Sequence, residues 1–117
     1  YLAARRLAFF FLGYLARELY LLGVAGARTT VIVTSDHGRA YDFRDHGFLH
    51  VGSERTWVLA FGASMKARGR VCDRADMTLA DIAPTVREIL GLPGDTGSDG
   101  SPIDEILERR PPAVSSR

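Results

Sequence analysis

Apolar side chains recur three and four positions apart near the start of the chain: Leu7, Phe10, Phe11, Tyr14, Leu15, Leu19 and Leu22 fall on one broad stripe. Residues 2–22 are otherwise rich in strong helix formers, so the spacing predicts a helix whose apolar face must pack on something. Gly23 and Gly26 supply its stop. Residues 29–34, Thr-Thr-Val-Ile-Val-Thr, are β-branched at every position. An unbroken run of this kind predicts a strand buried on both faces, the usual state of a central parallel strand. Helix followed by strand predicts an α/β layer.

Polar residues then fill 35–55, with glycines at 38, 47 and 52, which predicts a long loop; loops of this length inside a compact domain are usually functional. Residues 56–61, ending at Gly62, read as a second buried strand, and 66–70 as a solvated turn. Thr78 is placed to cap a short helical turn at 79–82, Pro84 fits the first turn of a helix over 85–90, and Gly91 closes it. Residues 93–102 are rich in Gly, Asp, Ser and Pro. One helical turn is expected over 103–107 and a frayed tail over 111–117. No internal repeat is present.

Composition narrows the class. A length of 117 residues bounds the chain to one domain, and 46% hydrophobic with 25% charged residues excludes a wholly disordered, collagenous or disulfide-scaffold protein. Fifteen basic against fourteen acidic residues provide no field for a polyanion, so there is no nucleic-acid-binding signal. The lone Cys72 excludes an intrachain disulfide and a Cys-based zinc knot, and leaves the compartment open. Residues 7–26 are apolar enough to need a membrane check, but Arg17 and Glu18 interrupt them, which favours a packed helix over a transmembrane segment. The stretch also lacks the basic, apolar, small order of a signal peptide, and a first residue of Tyr1 rather than Met leads to the expectation of a fragment.

The candidate chemistry is concentrated in one place. All three histidines, His37, His46 and His50, lie in the long loop, with Asp36, Asp42 and Asp45 among them. Imidazole and carboxylate together suit Zn, Mn or Fe, whereas oxygen-only sets suit Mg or Ca. Asp36 and His37 follow directly on the strand at 29–34, and ligands of open α/β sheets collect outside the carboxyl ends of strands. Neighbouring residues of an extended strand point to opposite faces, so the pair can share one centre only if the chain turns there, and Gly38 is expected to allow that turn through positive φ. Solvated loop histidines with Asp36 capping a turn would produce the same pattern, and on residue types alone both readings stand. A Ser-His-Asp hydrolase is less well supported, since no Gly-x-Ser-x-Gly elbow is present and Ser35 has no assigned base.

The run from Thr29 through Thr34-Ser35-Asp36-His37-Gly38-Arg39, then Asp45-His46-Gly47, then Glu54-Arg55 through Phe61-Gly62, resembles the C-terminal part of the alkaline phosphatase superfamily. That group holds sulfatases, nucleotide pyrophosphatase/phosphodiesterases and cofactor-independent phosphoglycerate mutases. Asp81-Ile82-Ala83-Pro84-Thr85, Ile89-Leu90-Gly91-Leu92-Pro93 and Asp99-Gly100-Ser101-Pro102 resemble the ending of sulfatase-like and phosphodiesterase-like members, and the helix at 1–23 resembles the one that precedes the metal-bearing strand there. The resemblance covers nearly all of residues 1–107, in five separated segments that agree in order. It implies that 1–107 is the C-terminal part of such a catalytic domain, a partial three-layer α/β/α fold with helices packed on a mostly parallel sheet, and that 108–117 is a flexible tail.

By the same resemblance an Asp-His pair at this strand end binds one ion of a two-metal site and a later His, usually followed by Gly, binds the other; the matching positions are Asp36, His37 and His46. His50 competes with His46 for the third place, and Arg39 is a candidate contact for the substrate anion. Sulfatases typically have Asn where His37 stands and hold a single hard cation, so the resemblance leans toward two divalent ions, Zn or Mn, and a small-molecule phosphate ester ahead of a sulfate ester. The nucleophile, the first metal-binding Asp and a further Asp-and-His set of the superfamily lie N-terminal to the matching region, and an Asp common on the preceding helix is replaced by aromatic Phe9 and Phe10. The expected partner is therefore the missing N-terminal part of the same enzyme, with no turnover by this chain alone. A phosphomutase of the same group, and a non-enzymatic α/β module binding through Phe9-Phe10-Phe11, are the alternatives.

Overall fold

The computed structural model describes residues 2–71, 76–94, 97 and 99–108. Helix α1 spans Leu2–Leu21, a stretch without a β-branched residue. It ends at Gly23, whose φ of 56° is left-handed, and a one-turn helix α2, Val24–Ala27, follows. Gly26 is buried within α2, where a Cβ would overlap the Leu19 carbonyl. Its role is close approach of the two helices rather than the stop its composition suggested.

Strands β1, Thr30–Thr34, and β2, Val58–Gly62, form a two-stranded sheet. The pairing is antiparallel, with Thr30 opposite Gly62 and Thr34 opposite Val58. The expected mostly parallel sheet is corrected on this point: a parallel pair needs a crossover connection, usually a helix, and residues 35–57 contain none. β2 also begins two residues later than the apolar run, because Thr56 and Trp57 are taken up in the base of the loop.

A 3₁₀ turn at Leu79–Asp81 leads into helix α3, Ile82–Leu90. The Thr78 N–H donates to Asp81 Oδ2 (2.8 Å), closing the N-terminal box, and left-handed Gly91 ends the helix with Leu92 N–H donating to the Arg87 carbonyl (2.9 Å). Pro84 falls in the first turn of α3.

The helices flank the sheet on opposite sides. Val86, Ile89 and Leu90 of α3 line a groove with Thr30 and Ile32, while Leu19 and Tyr20 of α1 line another with Thr29 and Phe61. Alternate residues of a strand face opposite ways, so this is a mixed α/β arrangement with a helix toward each face. The grooves are open, of about 520 and 400 Å³. Burial of the strands on both faces is accordingly not reached: β1 is half-buried and Leu59 is 40% exposed.

Apolar side chains are buried elsewhere, in the residues that follow β2 and in the last described segment. Met65, Ile103 and Leu107 are the buried apolar side chains among the described residues, and Thr85 is fully buried. The Thr85 hydroxyl donates to the Asp81 carbonyl (2.6 Å) and accepts the Ile103 N–H (2.9 Å). Asp81 Oδ1 accepts the Ser101 N–H (2.8 Å), and Leu107 bridges antiparallel to Met65. The Asp81-to-Thr85 and Asp99-to-Pro102 motifs thus form a clasp that ties the last described segment to α3 and to the residues after β2. The expected helical turn at 103–107 is a turn over 104–106. Of the expected tail, 109–117 lie outside the described residues, as does Cys72.

No helix among the described residues is long and apolar enough to cross a membrane.

Candidate metal centre

The loop between β1 and β2 is fastened at its base by hydroxyls. Thr34 Oγ1 donates to the Trp57 carbonyl and Thr56 Oγ1 to the Ser35 carbonyl, both at 2.7 Å. One step further out the Gly38 N–H donates to the Ser53 carbonyl (2.8 Å), and a Cβ on Gly38 would overlap the carbonyls of Gly52 and Arg55. Gly38 does not adopt positive φ. Its requirement is steric, the close passage of two arms of the loop, and not the left-handed turn inferred from its residue type.

Two subloops carry the candidate ligands. Residues 40–45 turn back through Phe43 at φ 60°, with the Ala40 N–H on the Asp45 carbonyl (3.0 Å) and the Arg44 N–H on Asp42 Oδ1 (3.0 Å). Asp42 therefore serves its own turn. Gly47, at φ 115°, redirects the chain after His46, and its N–H donates to Ser53 Oγ (3.1 Å).

This path brings His37 and His46 together. Their rings stack with centroids 4.6 Å apart and planes within 4° of parallel. Nδ1 of His37 lies 2.7 Å from the Gly38 carbonyl. A carbonyl only accepts, so Nδ1 carries the proton and, in the neutral ring, Nε2 keeps its lone pair. Nε2 in turn faces Asp36 Oδ2 at 3.5 Å, while Asp36 Oδ1 accepts the His37 N–H (3.0 Å). The Asp36 side chain is 86% exposed and that of His37 40%, so solvent screens this contact and by itself it contributes little to stability.

Arg39 is exposed and its side chain makes no hydrogen bond or ion pair among the described residues. His50 is half-buried, and its ring has no partner among the described residues. The structure does not draw either into the Asp36, His37 and His46 group. Ser35 Oγ meets Thr56 Oγ1 at 3.0 Å and no imidazole.

Whether these donors suit a metal ion is a question of bite and direction. Two ligands at about 2.0–2.1 Å from one tetrahedral ion lie about 3.3 Å apart, close to the separation of Asp36 Oδ2 and His37 Nε2. A backbone carbonyl on the far nitrogen is the usual second contact of a ligating His, and Gly38 supplies it. Imidazole lone pairs lie in the ring plane, so two parallel rings cannot meet on one ion; they can serve two. The donor set is incomplete, however: among the described residues no group of three or more His, Cys, Asp or Glu side chains could hold a metal ion.

The chain is 36% identical over 83 residues to a 2,3-bisphosphoglycerate-independent phosphoglycerate mutase of Gloeothece citriformis, covering 65% of this chain and 16% of that protein. A mutase of the same description from a Synechococcus strain is 32% identical over 106 residues, covering 80% of this chain and 20% of the relative. Human GPI ethanolamine phosphate transferase 1 is 33% identical over 97 residues, 68% of this chain and 10% of the relative. The chain thus spans a tenth to a fifth of the length of these curated relatives. No family model matches the chain, and no solved structure matches it. These similarities support the superfamily resemblance, and the relatives' names are those of enzymes that handle phosphate groups.

Proposed function

We propose that the chain is the C-terminal portion of a divalent-metal-dependent enzyme acting on phosphate esters, and that it contributes Asp36 and His37 to one ion and His46 to a second. The observation that carries this reading is the pairing at the end of β1: a carboxylate oxygen and an imidazole nitrogen 3.5 Å apart, beside a second imidazole in a parallel plane. Zn or Mn bound there would polarise phosphoryl oxygens and lower the pKa of the attacking group. The chain's own residues hold and orient. Asp36 and His37 share a centre, the Gly38 carbonyl fixes the His37 tautomer, and His46 lies alongside without competing for the same ion. Arg39, exposed in the same loop, would meet an anionic substrate oxygen through its guanidinium.

Residues 1–107 then act as one part of a catalytic domain whose nucleophile and remaining ligands belong to sequence before Tyr1. Phosphodiester or phosphomonoester hydrolysis remains ahead of sulfate ester hydrolysis because His37 occupies the position typically held by Asn in sulfatases. A phosphomutase is the second reading, favoured by the mutase names among the relatives. With Zn or Mn, the purified chain should not hydrolyse bis(p-nitrophenyl) phosphate; turnover lost on His37→Ala would contradict the partial site. A reading frame upstream of Tyr1 that encodes a Ser or Thr nucleophile motif would decide between enzyme classes, and one without any would sink the proposal.

A further inference from the structure

The two histidines are nine residues apart on separate subloops, and the contacts of the His37 ring other than the stacking, with Asp36 and the Gly38 carbonyl, are with residues of its own turn. What brings their backbones into register is a third residue. Ser53 is 7% exposed, in a loop that is otherwise largely solvated. Its carbonyl accepts the N–H of Gly38, the residue after His37, at 2.8 Å. Its hydroxyl accepts the N–H of Gly47, the residue after His46, at 3.1 Å. One buried side chain and its own backbone thus fasten both His-Gly steps.

We propose that Ser53 is a positioning residue that sets the face-to-face register of His37 and His46. The hydroxyl is the replaceable half of the device: Ser53→Ala keeps the carbonyl bond to Gly38 and releases Gly47, so the His46 subloop is freed while the His37 turn remains. That this register serves two metal ions rests on the reading above; the register itself does not.

The test uses the 117-residue chain and its Ser53→Ala and Ser53→Thr variants. Without metal, the unsubstituted chain should show a nuclear Overhauser contact between the two imidazole rings. Ser53→Ala should lose that contact with the thermal midpoint of the clasp around Thr85 unchanged, and Ser53→Thr, which restores a hydroxyl, should recover it. A ring contact that survives in Ser53→Ala, or that Ser53→Thr fails to restore, would overturn the proposal. Should Ser53→Ala not fold, amide exchange in the unsubstituted chain decides: Gly38 and Gly47 N–H groups must both be protected, and exchange of Gly47 at the solvent rate counts against the role. Zinc titration separates the two ideas. Affinity in Ser53→Ala should fall roughly tenfold, the lower range for loss of an outer contact. Ring pairing that obeys these expectations in a chain indifferent to zinc would retain the positioning role and discard the metal reading.

Discussion

Gly38 is the residue on which the loop is most sensitive to a single carbon. Its Cα passes against the carbonyls of Gly52 and Arg55, so Gly38→Ala must push the arms of the loop apart. Overpacking of this kind typically costs about 1–3 kcal/mol. A urea midpoint lowered to match, with loss of the His37–His46 ring contact, is the expected result; an unchanged ring contact would show that the arms are not in close passage. Thr85 is the corresponding residue in the clasp. Thr85→Val keeps the shape but leaves the buried Ile103 N–H without its acceptor, a loss of roughly 1–3 kcal/mol readable in the same experiment. Residue types gathered all three histidines and three Asp residues into one polar loop after a strand, and only the family resemblance singled out Asp36, His37 and His46; the structure stacks the rings of His37 and His46. Residue types did not identify Ser53 or Thr56, since a hydroxyl in such a loop is unremarked until its partners are known. The mode of action of Gly38 was equally hidden, because composition tells that a side chain is absent and not which neighbour requires the space.

At the scale of elements, local pattern was enough for α1, β1, α3 and the caps at Thr78 and Gly91, where propensity, periodicity and capping agree over short distances. Strand direction was not legible. Two apolar runs are alike whether paired parallel or antiparallel, and the distinction lies in the connection, which here folds back on itself without a helix. α1 shows the limit of reading burial from a stripe. Leu7, Phe10, Phe11 and Tyr14 are 71, 77, 62 and 61% exposed, because the elements described cover only the side bearing Leu12, Leu15 and Leu19. Phe10→Ser should therefore alter the stability of the chain by less than about 0.5 kcal/mol, as a surface substitution does. It should also reduce concentration-dependent light scattering. A large loss of helix by circular dichroism would place Phe10 in a packed interior instead.

The whole molecule is open. Its radius of gyration is 16.9 Å, against about 13 Å for a compact chain of this length. Its accessible surface is 9873 Å², against about 6,300 Å² for a compact monomer of this mass. Large apolar side chains contribute to that excess, so the isolated chain should associate at tens of micromolar, and sedimentation as a tight soluble monomer would count against the proposal that it is one part of a larger catalytic domain.

The most direct test of the account is a titration of the chain with Mn²⁺ followed through its three histidine ring signals. Paramagnetic broadening should reach His37 and His46 together and first, at weak, millimolar affinity, with His50 affected later. Broadening that begins at His50, or that spreads over all three rings alike, would contradict the assignment of Asp36, His37 and His46 as the metal-bearing group.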